Sequence, residues 1–183
     1  MSHNKTSANQ KLIELINKES CFNLQFRRDV RRKRTNHPTY YRWQVQYIIT
    51  LPKKSDEKSE RLLNKLQNEL IKCGKIYYNK NQIRYTVQGV DDIKEKAIPF
   101  LKKVLEKEKR DKFSLWEKAI NIIYGYKGKK LTDWQESDFQ KLIYLCKKLE
   151  KKKNKNHQWN WEESAKLIIN NLARKKQTQK PIR

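Results

Sequence analysis

Amide and arginine side chains recur at every second position in three segments of the chain. Residues two places apart on a strand lie on the same face of a sheet, so each segment predicts a strand with one polar face. Asn and Gln pair bidentately with adenine edges and Arg with guanine edges, in a major groove wide enough for a β-ribbon. The polar positions include no acidic residue; they are Asn23, Gln25, Arg27, Arg42, Gln44, Gln46, Gln82, Arg84, Thr86 and Gln88. The pattern predicts nucleic-acid contact. A solvated face is the alternative, and a one-residue error in register would exchange the two faces.

A dense run of basic residues separates the first two of these segments. The chain carries 44 Lys+Arg against 20 Asp+Glu among its 183 residues, a formal net charge of +24, and such a charge repels itself unless a polyanion offsets it. The run predicts a cationic loop at one edge of the sheet. Its contact residues, with one lysine that starts a later strand, are predicted to be Arg27, Arg28, Arg31, Arg32, Arg34 and Lys75. Nucleic acid is the predicted partner. A membrane is not expected, since no apolar run approaches the roughly 20 residues that a bilayer span needs.

Apolar spacing supplies the elements that must position these side chains. Leucine and isoleucine at intervals of three and four predict helices, and strict alternation predicts strands. Asn79-Lys80-Asn81 lies between two alternating runs and predicts a hairpin. The predicted helices cover 7–19, 55–71, 91–105 and 113–124, and the predicted strands cover 22–27, 42–49, 75–78 and 82–88.

The C-terminal part of the chain reads as helical. Thr132 with Gln135, and Asn160 with Glu163, have the spacing of capping boxes and predict two more helix starts, while Pro99 predicts a kink in the helix over 91–105. The element order αββαββα predicts an α+β fold, a four-stranded antiparallel sheet with helices on one face and C-terminal helices added. The predicted division is an arm over 1–6, a nucleic-acid-binding domain over 7–125, a helical extension over 126–173 and a basic tail over 174–183.

Three isolated cysteines bear on the cellular setting. Cys21, Cys73 and Cys146 are far apart and odd in number, which predicts reduced thiols and an intracellular protein. No C-x-x-C pair exists and the histidines do not cluster with the cysteines, so a zinc site is not expected. The Lys, Asn and Ile bias is typical of an AT-rich genome and is compatible with a mitochondrion or a chloroplast.

A helix that runs directly into a strand, followed by strand, helix, hairpin and helices, resembles the LAGLIDADG homing endonucleases. Residues 12–20 occupy the position of that family's motif and read Leu-Ile-Glu-Leu-Ile-Asn-Lys-Glu-Ser. Residues 73–77 are similar to the family's turn into the third strand, 98–101 to its helix after the sheet, and 107–120 to its next helix. The resemblance covers about 12–124. It implies a single-motif member, which would pair as a homodimer through the helix over 7–19.

The resemblance also implies a catalytic site. In the family, the last acidic residue of each of two motif helices binds Mg²⁺ beside the scissile phosphates, where a hard cation takes oxygen ligands. Glu19 matches that position and is the implied catalytic and metal-binding residue. Lys109 falls where the family places a basic residue that stabilises the phosphate or its attacking water. An ordinary exposed helix lysine is the alternative for Lys109.

The chain departs from the family pattern at four positions of the motif and at one position of the second strand. Ile13 and Glu14 replace the small residues at the helix crossing, and Glu14 would face its own copy across a two-fold axis. Asn17 replaces the first acidic residue and can cap without adding charge. Ser20 replaces the glycine after the catalytic acid, and Leu51 replaces a polar residue at the end of the second strand. These changes weaken the implied dimer and the metal site more than the sheet.

Two functions remain open on the sequence. The first is a Mg²⁺-dependent, site-specific DNA endonuclease that makes the double-strand break of intron homing. The second is a catalytically degenerate descendant that binds RNA, as a ribosome-associated or ribosomal protein or as an intron maturase. The retained acid and the amide-rich face favour the first. The altered helix crossing and the basic extensions favour the second.

Overall fold

The computed structural model describes the backbone of residues 3–29, 40–52, 57–150 and 161–178, and side chains over 9–28, 41–52, 60–150 and 161–170. In chain order the elements are α1 (His3–Glu19), β1 (Ser20–Asp29), β2 (Tyr40–Pro52), α2 (Glu57–Lys65), β3 (Lys75–Tyr78), β4 (Gln82–Val87), α3 (Val90–Asp92), α4 (Ile98–Val104), α5 (Lys107–Gly125), α6 (Glu136–Glu150) and α7 (Trp161–Thr178). Five-residue π-helical turns at Leu66–Leu70 and Ile93–Ala97 continue α2 and α3. A 3-10 turn at Leu131–Asp133 precedes α6. The predicted αββαββα order is confirmed.

The four strands form one antiparallel sheet in the order β1-β2-β4-β3. The two longest strands are neighbours, and their register pairs Asn23 with Gln46 and Arg27 with Arg42. Because side chains alternate along each strand, this register places apolar residues opposite apolar ones and polar residues opposite polar ones from Phe22 to Arg27. The two faces therefore differ as the sequence predicts, and the predicted registers need no shift.

Helices cover the apolar face of the sheet. Phe22, Leu24 and Phe26 of β1 are buried there. The ring of Phe22 lies 5.2 Å from that of Trp116 on α5, and the ring of Phe26 lies 5.6 Å from that of Phe139 on α6. These contacts bury large aromatic surfaces, which contribute most per residue to hydrophobic stabilisation. The helices thus pack on the apolar face of the sheet and do not cover the polar face.

Two polar bonds fix the helical layer to β1. The Trp116 indole donates a hydrogen bond to the Asn23 carbonyl at 3.1 Å, and the Cys146 thiol donates one to the Leu24 carbonyl at 3.4 Å. Trp161 of α7 also lies in the core, with its ring 6.5 Å from that of Trp43 on β2. The C-terminal helices therefore share the sheet's core. The domain boundaries stay predictions, and α1 begins at His3, inside the predicted arm.

The structure changes two local predictions. Leu70 is the last of the leucines at helical spacing in the predicted helix over 55–71. It is 36% exposed, and Ile71 takes its place in the core at 1%, because the π-helical turn at Leu66–Leu70 adds a residue and moves the apolar face along the chain. Pro99 lies in the first turn of α4, directly after the second π-helical turn. The backbone is helical on both sides of this junction, at Ala97 and at Ile98, so Pro99 removes a donor within a continuous helical segment, and the kink stays a prediction.

The capping box at Thr132 is wrong. Thr132 lies in the 3-10 turn, and α6 begins at Glu136. The carbonyl of Gln135 accepts the first helical bond from the Phe139 N–H at 3.1 Å, so Gln135 stands at the N-cap position. Asn160 lies outside the described residues, although α7 begins at the next residue, Trp161. Among the described helices, none combines the length and the apolar character that crossing a bilayer requires.

Candidate nucleic-acid interface and acidic junction

The open face of the sheet carries paired rows of amide and arginine side chains on β1 and β2. Asn23 lies opposite Gln46, and Gln25 lies opposite Gln44. The Asn23 Nδ2 donates to Gln46 Oε1 at 3.0 Å, and the Arg27 Nη1 donates to Gln44 Oε1 at 2.8 Å. These bonds orient the four side chains relative to one another, one bond at a partly buried position and the other at an exposed one. A preordered amide edge loses less conformational entropy when it pairs with a base.

Two residues of the predicted face are less accessible than expected. Gln46 is 9% exposed and Thr86 is 3% exposed. Both lie on the central strands β2 and β4, where side chains from strands on either side shield them. Ile48 pairs with Thr86 on the same face and is also buried. The prediction of a fully exposed polar face is therefore wrong at its centre, which contains an apolar residue.

The outer strands extend this face. Arg84 of β4 lies opposite Tyr77 of β3, and Thr86 lies opposite Lys75. Gln82 and Gln88 are exposed at the two ends of β4, with Gln88 just beyond it. The predicted residues of the hairpin thus reach the same face as those of β1 and β2.

The arginine segment is described only at its start. Arg27 and Arg28 lie on β1 and are exposed, but they alternate, so only Arg27 shares the polar face. Arg42 lies opposite Arg27 and is also exposed. Arg31, Arg32 and Arg34 lie outside the described residues, and their contact role stays a prediction. The described side chains of the polar face over 21–27 and 42–50 carry no acidic group, so this part of the face is cationic.

The acidic residue of the motif lies where α1 ends and β1 begins. Glu19 is the last residue of α1, and its side chain is 33% exposed. The Lys109 ammonium, from the first turn of α5, donates to the Lys18 carbonyl at 3.0 Å and to the Ser20 carbonyl at 2.8 Å. Lys109 therefore binds the two carbonyls that flank Glu19. The structure brings together the two residues that the resemblance pairs in one site.

The surroundings of Lys109 favour its neutral form more than water does. Burial, and then repulsion from Lys112, lowers the pKa of the Lys109 ammonium below its usual value, while Cys21 and Glu19 act in the opposite direction. Partial burial removes water from the ammonium, and the two carbonyl oxygens take the place of that water. An ordinary exposed lysine would have neither the burial nor the two backbone acceptors.

Asn17 joins the same junction to the start of α5. Its Nδ2 donates to the Ile13 carbonyl and to the Val104 carbonyl, each at 3.0 Å. Its Oδ1 accepts from the Glu106 N–H at 2.9 Å, directly before α5. Asn17 therefore caps the end of α4 and the start of α5 at once, which confirms that it acts as a cap without adding charge.

The side of α1 that faces away from the core carries the two residues, Ile13 and Glu14, that replace the small residues of the family motif. Leu12 and Ile16 point into the core and are fully buried. Ile13 is half-buried and Glu14 is exposed. A second copy that packed on this side would meet a carboxylate and a branched side chain, where close helix crossing needs small residues.

One carboxylate per chain is compatible with a shared magnesium site. Within the described ranges, no group of three or more His, Cys, Asp or Glu side chains is placed to hold a metal ion. Mg²⁺ keeps several waters and is commonly bound by one or two carboxylates together with substrate phosphates. Glu19 is partly exposed and carries carboxylate oxygens, the kind of ligand that Mg²⁺ takes.

A cationic, amide-rich sheet face with a carboxylate at its helix-to-strand junction defines a nucleic-acid-binding α+β domain. The archaeal intron-encoded homing endonuclease I-Vdi141I, solved in complex with DNA, is similar in structure with a TM-score of 0.64 at 17% identity, covering 93% of this chain and 99% of that one. The homing endonuclease I-CvuI, solved with DNA in the presence of Mg, gives 0.64 at 16% identity, with 93% and 97% covered. The meganuclease I-AabMI, bound to uncleaved DNA, gives 0.57 at 26% identity, with 87% of this chain and 48% of that one covered.

The family model described as LAGLIDADG endonuclease matches residues 15–120, more than half of the chain. The chain therefore belongs to the LAGLIDADG endonuclease family, a family of DNA-binding, site-specific endonucleases. The family and the fold class predicted from the sequence are both confirmed. No curated protein matches the chain.

Sequence reasoning missed two contributors to this surface. Tyr77 lies on the polar side of β3 and is 44% exposed, and its alternation with Lys75 was the available signal. Ile48 follows Gln46 by two positions and interrupts the polar row. The alternation of β2 indicates that Ile48 lies on this face, but an apolar residue is expected on the opposite, covered face.

Proposed function

We propose that this chain is a site-specific DNA endonuclease that reads its target with the polar face of the sheet and cleaves beside Glu19. The supporting observation is the pair of hydrogen bonds that the Lys109 ammonium donates to the carbonyls on either side of Glu19. The Lys109 ammonium therefore lies at the helix-to-strand junction that carries Glu19, although most of the motif around them has changed.

The roles of the individual residues follow from their positions. Arg27, Arg42 and Lys75 supply positive charge for contact with the phosphate backbone. Gln25 and Gln44 lie opposite each other on β1 and β2, and their amides offer donors and acceptors to base edges. Asn23, Gln46, Gln82, Arg84, Thr86 and Gln88 complete the predicted contact set. Gln46 and Thr86 contribute from the less accessible centre of the face.

At the junction, the Glu19 carboxylate would hold Mg²⁺ and the Lys109 ammonium would place a positive charge beside the reacting phosphate. Bound Mg²⁺ supplies neutralisation of the charge that develops on the phosphate oxygens. Lys109 is oriented by two backbone carbonyls, so it needs little reorganisation to act electrostatically. Cleavage of both strands requires two such junctions, and a second copy of the chain docked along α1 would supply the other.

A second function rests on a different observation. Glu14 is exposed and Ile13 is half-buried on the side of α1 that would meet the second copy. Like charges across a two-fold axis weaken that contact. These two residues favour a monomer that binds nucleic acid without cutting it. Such a monomer would be an RNA-binding protein of a ribosome or of an intron ribonucleoprotein. An organelle, mitochondrion or chloroplast, is the proposed setting for either function.

The test combines cleavage with oligomeric state. Wild-type protein is incubated with a plasmid library of random inserts and Mg²⁺, cut molecules are sequenced, and the mass of the protein in solution is measured. The proposal expects a defined cut site, a dimer on DNA and activity that Glu19→Gln abolishes. Glu69→Gln, at an exposed position in the π-helical turn after α2, is the matched control and should cut normally. A monomer that binds RNA and leaves every insert intact would support the second function instead.

A further inference from the structure

A diagonal pair of side chains on the polar face joins Arg27 of β1 to Gln44 of β2. Arg27 lies directly opposite Arg42 in the antiparallel register, and Gln44 lies two positions farther along β2. Long side chains can span such a diagonal because the two positions are about 7–8 Å apart. The Arg27 Nη1 donates a hydrogen bond to Gln44 Oε1 at 2.8 Å. A residue assigned to phosphates and a residue assigned to base edges are therefore bonded to each other.

This bond decides which end of the Gln44 amide is directed at Arg27. An arginine side chain has N–H donors and no acceptor, so the amide oxygen of Gln44 is the atom that can bond to it. If the amide turned over, its NH₂ group would meet the guanidinium and the bond would be lost. The oxygen of Gln44 is therefore directed at Arg27, and its NH₂ group is directed away from Arg27.

The second bonded pair of the face lacks this constraint. The Asn23 Nδ2 donates to Gln46 Oε1 at 3.0 Å. Both partners are amides, so both can turn over and form the bond again in the opposite direction. Gln46 is also buried, whereas Gln44 is half-buried and Arg27 is exposed. A set polarity thus distinguishes the Arg27–Gln44 pair from the Asn23–Gln46 pair.

The uncharged partner leaves the positive charge of Arg27 intact. A carboxylate in the place of the Gln44 amide would offset that charge, but the described side chains of the polar face over 21–27 and 42–50 include no acidic group. Arg27 therefore has a hydrogen-bond acceptor beside it and keeps its full attraction for the phosphates of DNA. The same guanidinium carries further N–H donors for a base edge, because Nη1 uses one donor for Gln44.

We propose that Arg27 and Gln44 act together as one reader that selects a guanine in the major groove. The pair offers N–H donors from both side chains, while the amide oxygen is directed at Arg27. Guanine is the base that shows two acceptors on its major-groove edge, N7 and O6. Adenine and cytosine each show an amino donor there, and thymine shows one acceptor beside a methyl group. An edge made of donors therefore favours guanine.

This inference rests on the proposed binding of DNA across the polar face and states what one part of that face reads. A glutamine by itself pairs with adenine, because its amide offers one donor and one acceptor. In the Arg27–Gln44 pair the acceptor serves Arg27 instead. The bond thus changes the base that is expected for Gln44 from adenine to guanine.

The test is a binding selection from a library of random DNA duplexes in EDTA, so that binding is measured without cleavage. Full-length protein is incubated with the library, and sequencing of the bound duplexes gives the base preference at each position of the target. Arg27→Lys keeps the charge but loses the fork of donors. Gln44→Glu keeps an acceptor for Arg27 but replaces the NH₂ group by an oxygen. Both variants should bind more weakly overall, so the readout is the ratio between bases at each position.

The expected signature is a change at one shared position of the target. Wild-type protein should prefer guanine there about tenfold or more, and each single variant should reduce that preference to less than about threefold. Because a bonded pair reads one base pair, the double variant should lose no more preference than the more affected single variant. Gln135→Glu makes the same chemical change at an exposed position at the start of α6 and should leave every preference unchanged.

The opposite outcomes separate this inference from the proposed function. Variants that change two different positions, or that change none, would overturn the joint reader and leave the proposed DNA binding standing. An adenine preference that Gln44→Glu removes would overturn the joint reader in the same way. Wild-type protein that binds all sequences equally would overturn the proposed function as well.

Discussion

Replacing Asn17 by alanine tests whether this motif position is a structural joint. The side chain makes three hydrogen bonds, to the Ile13 carbonyl, the Val104 carbonyl and the Glu106 N–H, at 2.9–3.0 Å. Asn17→Ala removes all three. Two of them cross from α1 to the α4–α5 junction, so the change also frees the start of α5, from which Lys109 projects.

The expected cost follows from the number of bonds. A net contribution of about 1 kcal/mol for each hydrogen bond gives about 3 kcal/mol. Alanine is the better helix former by up to about 0.7 kcal/mol, which offsets part of the loss. We therefore expect the free energy of unfolding to fall by about 2–3 kcal/mol. Asn17→Asp keeps the acceptor for the Glu106 N–H but places a negative charge beside two carbonyls. The free energy of unfolding of Asn17→Asp should therefore lie between those of the wild type and Asn17→Ala, or close to that of Asn17→Ala.

Urea denaturation followed by tryptophan fluorescence measures this effect, with the slope against denaturant checked for constancy. Asn68→Ala, at an exposed position in the first π-helical turn, is the matched control and should change the free energy of unfolding by less than about 0.5 kcal/mol. An Asn17→Ala protein within about 0.5 kcal/mol of wild type would refute the view that Asn17 ties α1 to α5.

Three further predictions concern other parts of the molecule. Gly74→Ala should destabilise the protein by about 2 kcal/mol or more in thermal unfolding, because a Cβ there is both strained and 2.8 Å from Tyr85; Gly125→Ala, where a Cβ meets nothing within 4 Å, should cost nothing, and equal effects would contradict this. Arg27→Gln should reduce the slope of log affinity against log salt by about 0.9 on duplex DNA, whereas Gln44→Ala should change sequence preference with the slope intact; an unchanged slope in the first variant would remove Arg27 from the phosphate contacts. The pKa of Cys73 is raised from 9.0 to about 11, so its thiolate fraction at pH 8 is about 100-fold lower than in the unfolded chain. Iodoacetamide should therefore modify Cys73 correspondingly slowly in the native state, and native and unfolded rates within a few-fold of each other would contradict the shift. The stability that Cys73 contributes should also fall as the pH rises from about 9 to 11.

The strands were predictable because their signal is local. Phe22, Leu24 and Phe26 alternate with polar residues, and a period of two occurs whether or not the rest of the chain is known. β3 spans the predicted residues, and β4 ends one residue earlier, at Val87. The helix starts were less accurate because an N-cap depends on which backbone N–H groups the fold leaves without a partner. Thr132 had the spacing of a cap, yet α6 begins at Glu136.

The shielding of residues on the face could not be predicted from the sequence. Gln46 and Thr86 belong to the predicted polar rows, but neighbouring strands shield them from solvent. Shielding depends on strand order, and the β1-β2-β4-β3 order is set by packing rather than by any one segment. The exchange of Leu70 for Ile71 has a similar cause, because a π-helical turn is favoured by the surroundings of the helix more than by its residues.

The sequence by itself determined the two-sided sheet, the cationic partner surface and the position of Glu19, because charge and alternation are properties of adjacent residues. Tertiary structure alone decided that Lys109, ninety positions from Glu19, binds the carbonyls on either side of it, and that Asn17 joins three elements. These contacts join residues that are distant along the chain, and only the folded packing of helices on the sheet brings them within hydrogen-bonding distance.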